Sequence, residues 1–370
     1  MIYFDNAATS FPKPRSVVRA VNECIKEYCG NPGRSAHAFS IKSSEKIFEA
    51  RNKIADFLNY PYPERVVFTL NASYALNIAI KTTVKENEHV LISDREHNSV
   101  VRPLEALKKR GIEYSIFKPS QNLEEEIKTL VKNNTTCIAV SINSNVTGDE
   151  ISLETLYKIK QKYNLKLIVD VSQTIGHREI DLSKCHPDVL CAPSHKGLLG
   201  IQGAGFCVFC DELPRESFIE GGSGSESMNP SMPKALPERF EAGTLPTPAI
   251  VSLSSGIDFI SKIGISNIEE KLAFLTEEAK ARLSSIKGIR ICGANMGIVS
   301  FVHEKIPPYA IAKFLNKNGI AVRSGFHCSP LIHKRLGTLD GGTVRASFSL
   351  FNKTHELDKL YRVLKSEISV

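Results

Sequence analysis

Short apolar runs alternate with amphipathic stretches over much of the first half of the chain, and this alternation restricts the fold more than any other feature. The runs have the length and apolar content of buried strands, and they lie at residues 66–69, 89–93, 113–117, 136–142 and 166–170. The stretches between them have helical spacing, and they lie at residues 71–81, 100–109, 123–132 and 153–163. This strand–helix rhythm predicts an α/β fold with a mostly parallel central sheet covered on both faces.

The pattern changes along the chain in a way that predicts more than one domain. A chain of 370 residues is long enough for two. Periodicity is lost from residue 214 to 248, where glycines and prolines mark a long loop of the kind that is often functional or bridges subunits. We therefore predict an N-terminal arm at 1–14, a large α/β domain at 15–248 with an interface loop at 214–248, and a smaller α+β C-terminal domain at 249–370.

Within the smaller domain, helices alternate with short strands. An amphipathic stripe from residue 268 to 286 predicts a long helix. The predicted strands lie near residues 298–302, 319–323 and 343–346, and further helices at residues 309–316 and 355–366.

Composition argues against several classes of protein. Hydrophobic residues at 42% and charged residues at 24% are typical of a globular chain. The net charge of +7 comes from scattered residues without a dense basic run, so we expect no nucleic-acid partner. No apolar run is long enough for a membrane span and no leader is recognisable, so we expect a cytoplasmic protein without a membrane partner. Nine irregularly spaced cysteines form neither a disulfide framework nor a metal site.

A lysine follows a strand-end carboxylate near the middle of the chain. Asp170 ends the predicted strand at 166–170, at the carboxyl edge where open α/β sheets bind ligands. Lys196 lies in a turn beside Ser194 and His195, whose hydroxyl and imidazole suit a phosphate. These are the groups that pyridoxal 5′-phosphate (PLP) requires, since the lysine forms its Schiff base and the acid keeps its ring nitrogen protonated. Taken alone, an ordinary solvated lysine explains such a turn more often.

Motifs along nearly the whole chain resemble those of class V aminotransferase-fold enzymes, and within them cysteine desulfurases of the SufS-like, type II kind. The motifs run from Asp-Asn-Ala-Ala-Thr at 5–9 to Val-Arg-Ala-Ser at 344–347. The most specific are Arg-Phe-Glu-Ala-Gly-Thr at 239–244 and Arg-Ser-Gly-Phe-His-Cys at 323–328. The resemblance implies a fold-type I PLP-dependent transferase that forms a homodimer with its active sites at the subunit interface.

Several polar residues that follow predicted strands match cofactor ligands of that family. The resemblance implies that His97 stacks on the PLP ring, and that Asn145 and Gln173 lie at its O3′ edge. Ser73 opens a helix after a strand, where free N–H groups suit a phosphate, although a helix cap is the alternative. The resemblance also implies that Thr244 contacts the PLP phosphate of the neighbouring subunit.

Three further residues, together with Asn145, are candidates for substrate binding. Arg345 lies on a predicted strand in apolar surroundings and needs a carboxylate partner there, which a structural salt bridge also explains. The resemblance implies that Arg345 binds the α-carboxylate of the substrate and that Arg323 belongs to the same site. It also implies that His37, in the turn at 31–37, lies near that site, although helix capping fits this turn equally well.

Cys328 follows a predicted strand in a loop near positive groups that favour a thiolate. A packing role is the alternative for a lone cysteine, whereas the resemblance implies a nucleophile that attacks the substrate sulfur. Family members commonly carry histidine where Phe326 stands and alanine where Ser329 stands. These departures leave open the subgroup and the choice of sulfur acceptor.

The resemblance implies that L-cysteine is converted to L-alanine, with Lys196, His97 and Cys328 as catalytic residues and a persulfide left on Cys328. A sulfur-acceptor protein of unknown identity would take the sulfur, with iron–sulfur cluster assembly as the expected context. The alternatives within enzymes are a lyase acting on L-selenocysteine and a class V transaminase, epimerase or kynureninase-like enzyme. A sulfur-relay scaffold is the alternative outside enzymes, but a scaffold has no need of the Lys196 Schiff base.

Overall fold

A computed structural model describes residues 1–33, 35–211 and 216–368. Arg34, from the turn before His37, and residues 214 and 215, which open the predicted interface loop, lie outside the described residues. The strands are β1 (Ile2–Tyr3), β2 (Val66–Thr69), β3 (His89–Ser93), β4 (Glu113–Phe117), β5 (Thr135–Ser141), β6 (Lys166–Asp170), β7 (Val189–Pro193), β8 (Gly205–Phe209), β9 (Ile289–Asn295), β10 (Ile298–His303), β11 (Ile320–Ala321), β12 (Arg323–Gly325) and β13 (Thr343–Ser347). The α-helices are α1 (Arg15–Glu23), α2 (Ala38–Phe57), α3 (Ala72–Thr83), α4 (Asn98–Leu107), α5 (Leu123–Leu130), α6 (Leu153–Tyr163), α7 (Thr247–Ile263), α8 (Ile265–Ser284), α9 (Pro308–Lys317), α10 (Pro330–Leu336) and α11 (Thr354–Ile368).

The central sheet has seven strands in the order β2-β8-β7-β6-β5-β3-β4. The pairs from β7 through β4 are parallel, and β8 is antiparallel to both of its neighbours. Only β8 therefore runs against the other six strands, and the prediction of a mostly parallel α/β sheet is confirmed.

Both faces of this sheet are covered, as the apolar runs predict. In β6, Leu167 and Val169 pack into one hydrophobic cluster while Ile168, between them, packs into a second cluster on the opposite face. Successive side chains of a strand point to opposite faces, so a run that is buried throughout must be covered on both. Burial of each such side chain contributes about 1.5–3 kcal/mol.

A second, antiparallel sheet of four strands, in the order β12-β13-β10-β9, forms the C-terminal part of the chain. The single strand predicted at 319–323 is wrong, because the chain breaks it into β11 and β12, which belong to different sheets. β11 instead pairs in parallel with β1, so the predicted N-terminal arm is tied to the C-terminal part. The domain boundary at residue 248 stays a prediction, and α7, which begins there, packs against α1 and α2.

No single helix in the described part of the chain is long and apolar enough to span a membrane. The consecutive helices α7 and α8 meet that test only as a pair, and they are bent by 82° at their junction.

The segment at 239–244 is attached to α2 and β2 by a buried ion pair. Both oxygens of Glu241 accept hydrogen bonds at 2.9 Å from the two guanidinium Nη atoms of Arg51, on α2. The Phe68 amide of β2 donates a further hydrogen bond to the same carboxylate at 2.6 Å. The pair therefore connects a helix, a strand and an irregular segment at one buried point.

Glu241→Ala is expected to lower the free energy of unfolding by about 3–5 kcal/mol, because it leaves the Arg51 charge buried and unpaired. Urea denaturation of the apoprotein measures this change. Glu238→Ala, directly before this segment, is the matched control and should cost no more than about 0.5 kcal/mol. Equal effects of the two substitutions would contradict a stabilising role for the pair.

Candidate active site

The carboxyl ends of β5, β6 and β7 open onto a cavity of about 210 Å³. Neighbouring parallel strands end at the same sheet edge, which collects residues that are far apart in the chain. The predicted site residues that line the cavity are Ser73, His97, Asn145, Asp170, Gln173, His195, Lys196, Arg323 and Arg345.

Asp170 and Lys196 face the cavity from adjacent strands. Asp170 is the last residue of β6, and its Oδ1 accepts a hydrogen bond from the Ser172 amide at 2.9 Å. Lys196 follows the end of β7 by three residues. Burial, together with the charges of Arg345 and Arg323, lowers the pKa of the Lys196 amine to about 8, although Asp170 acts in the opposite direction. A neutral, nucleophilic amine is therefore accessible near neutral pH.

Two histidines at the cavity are held neutral. Burial, followed by the nearby Lys196 charge, lowers the pKa of both His97 and His195 to about 4. His97 also caps α4, with its Nδ1 accepting a hydrogen bond from the Ser99 amide at 3.0 Å. A neutral ring fixed in this way is suited to packing against a flat ligand.

The N-terminus of α3 opens at the same cavity. Asn71 caps this helix by accepting from the Tyr74 amide at 3.0 Å, and the hydroxyls of Ser73 and Ser99 lie 2.6 Å apart. The first N–H groups of a helix favour an anion there. Nearby, Nδ1 of His195 is buried without a hydrogen-bond partner among the described residues. This end of the cavity is therefore suited to a phosphate.

Two arginines line the opposite part of the cavity. Arg345 on β13 and Arg323 on β12 are direct partners across the sheet. Arg345 is 1% exposed; it forms an ion pair with Asp5 at 2.9 Å and donates to the Asn145 carbonyl at 2.7 Å. Its Nε has no partner in the described chain. The salt-bridge alternative is thus observed. The bonds to Asp5 and to the Asn145 carbonyl use two of the five guanidinium N–H donors, which leaves three.

Cys328 lies in the cysteine loop, which we define as residues 326–329 between β12 and α10. Its side chain is exposed, and Arg323 Nη2 lies 3.6 Å from its Sγ. Since Arg323 also lines the cavity, the thiol lies at the edge of the same site.

Besides Cys328, which lies at the cavity edge, three predicted site residues are not among the described residues that line the cavity. The Ser194 hydroxyl donates to the Ile201 carbonyl, which turns it away from a phosphate. His37 is exposed and caps α2 by accepting a hydrogen bond from the Ser40 amide at 3.2 Å. Helix capping was the alternative role for this turn in the sequence analysis. Thr244 is exposed and lines a separate cavity together with Tyr74. Their proposed roles stay predictions.

The sequence alone did not indicate three residues at the site. Asp5 pairs with Arg345, and His327 lines the cavity. Glu96 is fully buried and accepts from the Ser141 amide and hydroxyl at 2.9 Å, while burial raises its pKa to about 8. The only sequence signals were the motif at 5–9 and the position of Glu96 beside His97.

The donor set fits PLP. The cavity combines the Lys196 amine with the Asp170 carboxylate and an anion-binding helix end. Among its described lining residues, three carry a positive charge (Lys196, Arg323 and Arg345) and only Asp170 a negative one, which favours anionic ligands. The unpartnered His195 and Arg345 nitrogens add donors for such ligands.

Comparisons with known proteins agree with this geometry. The family model "Aminotransferase class-V" matches residues 2–360. A protein of Methanothermobacter thermautotrophicus described as "Probable cysteine desulfurase" is 34% identical over 98% of this chain and 94% of its own length. One of Pyrococcus abyssi with the same description is 32% identical, over 99% and 94% respectively. The apo structure of a cysteine desulfurase from Thermococcus onnurineus NA1 superposes with a TM-score of 0.91 at 31% identity, covering 100% of this chain and 94% of that one. This chain therefore belongs to the class-V aminotransferase family, among the homologues of cysteine desulfurases.

Proposed function

We propose that this chain is a PLP-dependent cysteine desulfurase of the SufS-like type, which converts L-cysteine to L-alanine and retains the sulfur on Cys328. The observation that carries the proposal is the Arg323–Cys328 contact of 3.6 Å at the edge of the cavity that contains Lys196 and Asp170. The family is PLP-dependent, which supports the cofactor assignment. The same reaction requires an acceptor protein that later removes the sulfur.

Each part of the cavity has a role in holding the cofactor. The α3 N-terminus with Ser73 would bind the phosphate, and Lys196 would bind the aldehyde carbon. Asp170 would accept a hydrogen bond from the ring nitrogen, while His97 would pack on the ring. When bound, PLP supplies an electron sink next to the substrate Cα.

The remaining chemistry belongs to side chains of this protein. Arg345, through the N–H donors that Asp5 and Asn145 leave free, and Arg323 would hold the substrate carboxylate. Lys196, with its pKa lowered to about 8, would take the Cα proton and return a proton to the product. Cys328 would attack the substrate sulfur, so that an S–S bond forms as the C–S bond breaks. L-Cysteine and the Cys328 thiol thus give L-alanine and a Cys328 persulfide, with atoms and electrons balanced.

The proposal is tested by incubating the PLP-loaded protein with L-cysteine and a reducing thiol, and by measuring alanine and sulfide. Equimolar alanine and sulfide are expected. Formation of a keto acid without alanine would instead indicate a transaminase. Formation of D-cysteine without alanine would indicate an epimerase. The same assay with L-selenocysteine measures the sulfur-over-selenium preference.

The lowered pKa of Lys196 predicts how cofactor loading depends on pH. The attachment rate of PLP to the apoprotein should rise roughly tenfold between pH 7 and pH 9, because the neutral amine is the attacking form. Stopped-flow absorbance of the attached cofactor measures this rate. Asp170→Asn should move the midpoint of the rise to lower pH, since the Asp170 charge raises the Lys196 pKa. A flat profile in the wild type would contradict the lowered pKa.

We also propose that the chain acts as a homodimer in which Thr244 serves the partner's site. The support is that Thr244 is exposed and lines a cavity other than that of Lys196 in its own chain. Exposed apolar side chains, including Phe39, Phe48 and Leu70, are available for burial against a second copy. The free state of all nine cysteines supports a reducing compartment, the cytoplasm.

Mixing inactive Lys196→Ala and Thr244→Ala subunits is expected to restore activity, because one site of each hybrid dimer then has both residues intact. At complete random exchange, half of the dimers are hybrids with one intact site each, so the mixture should have about a quarter of the activity of the same amount of wild-type protein. Activity of the mixture and subunit exchange, followed by native mass spectrometry, are measured together. Exchange without any regained activity would show that Thr244 serves its own chain.

A further inference from the structure

The cysteine loop has a backbone that its own residues do not favour. His327 and Cys328 have φ values of +50° and +61°, in the left-handed region that side chains with a Cβ rarely adopt. Two consecutive non-glycine residues in this region persist only where the surrounding structure holds them. The contacts that hold this loop therefore determine where the Cys328 thiol lies.

A single amide bonds both neighbours of Cys328. The Asn145 Nδ2 donates to the His327 carbonyl at 2.7 Å, and the Ser329 hydroxyl donates to Asn145 Oδ1 at 2.6 Å. Asn145 is 9% exposed and Ser329 is 0% exposed, so water does not compete for these bonds. The Cys328 carbonyl itself accepts from the Asn98 amide, at the start of α4, at 2.7 Å.

These bonds use half of what the Asn145 side chain offers. An amide has a carbonyl oxygen with two lone pairs and two N–H donors, and here one lone pair and one N–H are bonded to the loop. One lone pair and one N–H are left for a ligand in the cavity. Arg345 fixes the other end of the residue by donating to its backbone carbonyl at 2.7 Å.

We infer that Asn145 and Ser329 are positioning residues for the Cys328 thiol. Their hydrogen bond keeps the cysteine loop in its left-handed conformation, with Sγ beside Arg323 at the cavity edge. The expected effect on turnover rests on the proposed function, whereas the expected effect on the conformation of the cysteine loop does not.

Ser329→Ala removes one hydroxyl and leaves the Asn145 oxygen buried without a donor. Hydrogen exchange of a peptide covering residues 326–330 in the apoprotein should become roughly tenfold faster, as expected for the loss of one buried hydrogen bond. In the PLP-loaded enzyme, kcat for alanine formation should fall roughly tenfold while KM for L-cysteine and the cofactor absorbance stay within twofold. A purely structural defect would instead lower cofactor occupancy or alter KM as well.

Two further variants sharpen the test. Ser324 is half-buried on neighbouring β12, and Ser324→Ala is the matched control. It should change neither the hydrogen exchange of the loop nor kcat. If the two residues act as one unit, adding Ser329→Ala to Asn145→Ala should accelerate loop exchange no further. Independent, additive effects of the two substitutions would overturn the inference.

The outcomes separate this inference from the proposed function. The positioning role is overturned if Ser329→Ala leaves hydrogen exchange of the loop unchanged. It is also overturned if exchange becomes faster but kcat stays unchanged, provided that Cys328→Ala is inactive. Full turnover of Cys328→Ala overturns the proposed function instead, and the exchange result still decides whether the Asn145–Ser329 bond holds the loop.

Discussion

Cys328→Ala is expected to lower alanine formation from L-cysteine by on the order of 10³-fold or more, because Cys328 is the thiol that contacts Arg323 at the cavity edge and no cysteine is among the described residues that line the cavity. Loss of the Cα proton does not by itself remove sulfur as a persulfide, so a second thiolate has to attack it. The variant should still bind PLP, since Cys328 lies at the cavity edge and its Sγ contacts Arg323. Chromatographic measurement of alanine tests the loss of activity, and the cofactor absorbance, recorded in parallel, tests whether the variant still binds PLP.

Cys29→Ala provides the matched control, because Cys29 is also an exposed free thiol and lies outside the catalytic machinery. It should retain full activity. Mass spectrometry of the wild type after L-cysteine should find one added sulfur on the peptide that contains Cys328 and none on that of Cys29. Undiminished desulfuration by Cys328→Ala would return this residue to a packing role.

Lys196→Ala is expected to abolish covalent attachment of PLP and to lower activity by on the order of 10³-fold or more. The physical reason is that Lys196 alone combines a lowered pKa of about 8 with a position beside Asp170 at the ends of β6 and β7. Borohydride reduction followed by peptide mass spectrometry should find PLP on Lys196 in the wild type and on no lysine in the variant.

Lys196→Arg separates charge from nucleophilicity, because arginine keeps the positive charge but does not supply a neutral amine at these pH values. It should be as inactive as Lys196→Ala while still binding PLP noncovalently. A PLP adduct at another lysine in either variant would assign the cofactor linkage elsewhere.

The central sheet could be predicted because its strands carry their own signal. The three central residues of β6, Leu167, Ile168 and Val169, are apolar, and β2, β3, β4 and β6 have the predicted bounds. Such a run needs cover on both faces wherever it lies in a sheet, so burial and parallel pairing follow from local sequence. The direction of β8 carries no such signal, because its apolar pattern is the same whichever way the strand runs.

The site could be predicted only in part, for a related reason. Asp170 and Lys196 follow strands, and parallel topology brings strand ends together without further information. Arg345 pairs with Asp5 across 340 positions of sequence, and no local pattern contains that contact. The Ser194 hydroxyl lay beside Lys196 in the sequence, yet the close approach of the Ile201 carbonyl turns it away.

The sequence by itself determined the mostly parallel α/β sheet, the candidate cofactor residues at its carboxyl edge and the cysteine with its two arginines. The sheet depends on short-range periodicity, which the chain carries at every point, whereas the roles of most site residues were implied by motifs that resemble those of a known family. Only the tertiary structure decided how Asn145, Ser329, Arg323 and Cys328 meet, because hydrogen bonds between segments nearly 200 residues apart depend on how two sheets pack. The same packing sets the Lys196 pKa, because burial and the charges of Arg345, Arg323 and Asp170 act together only in the folded chain.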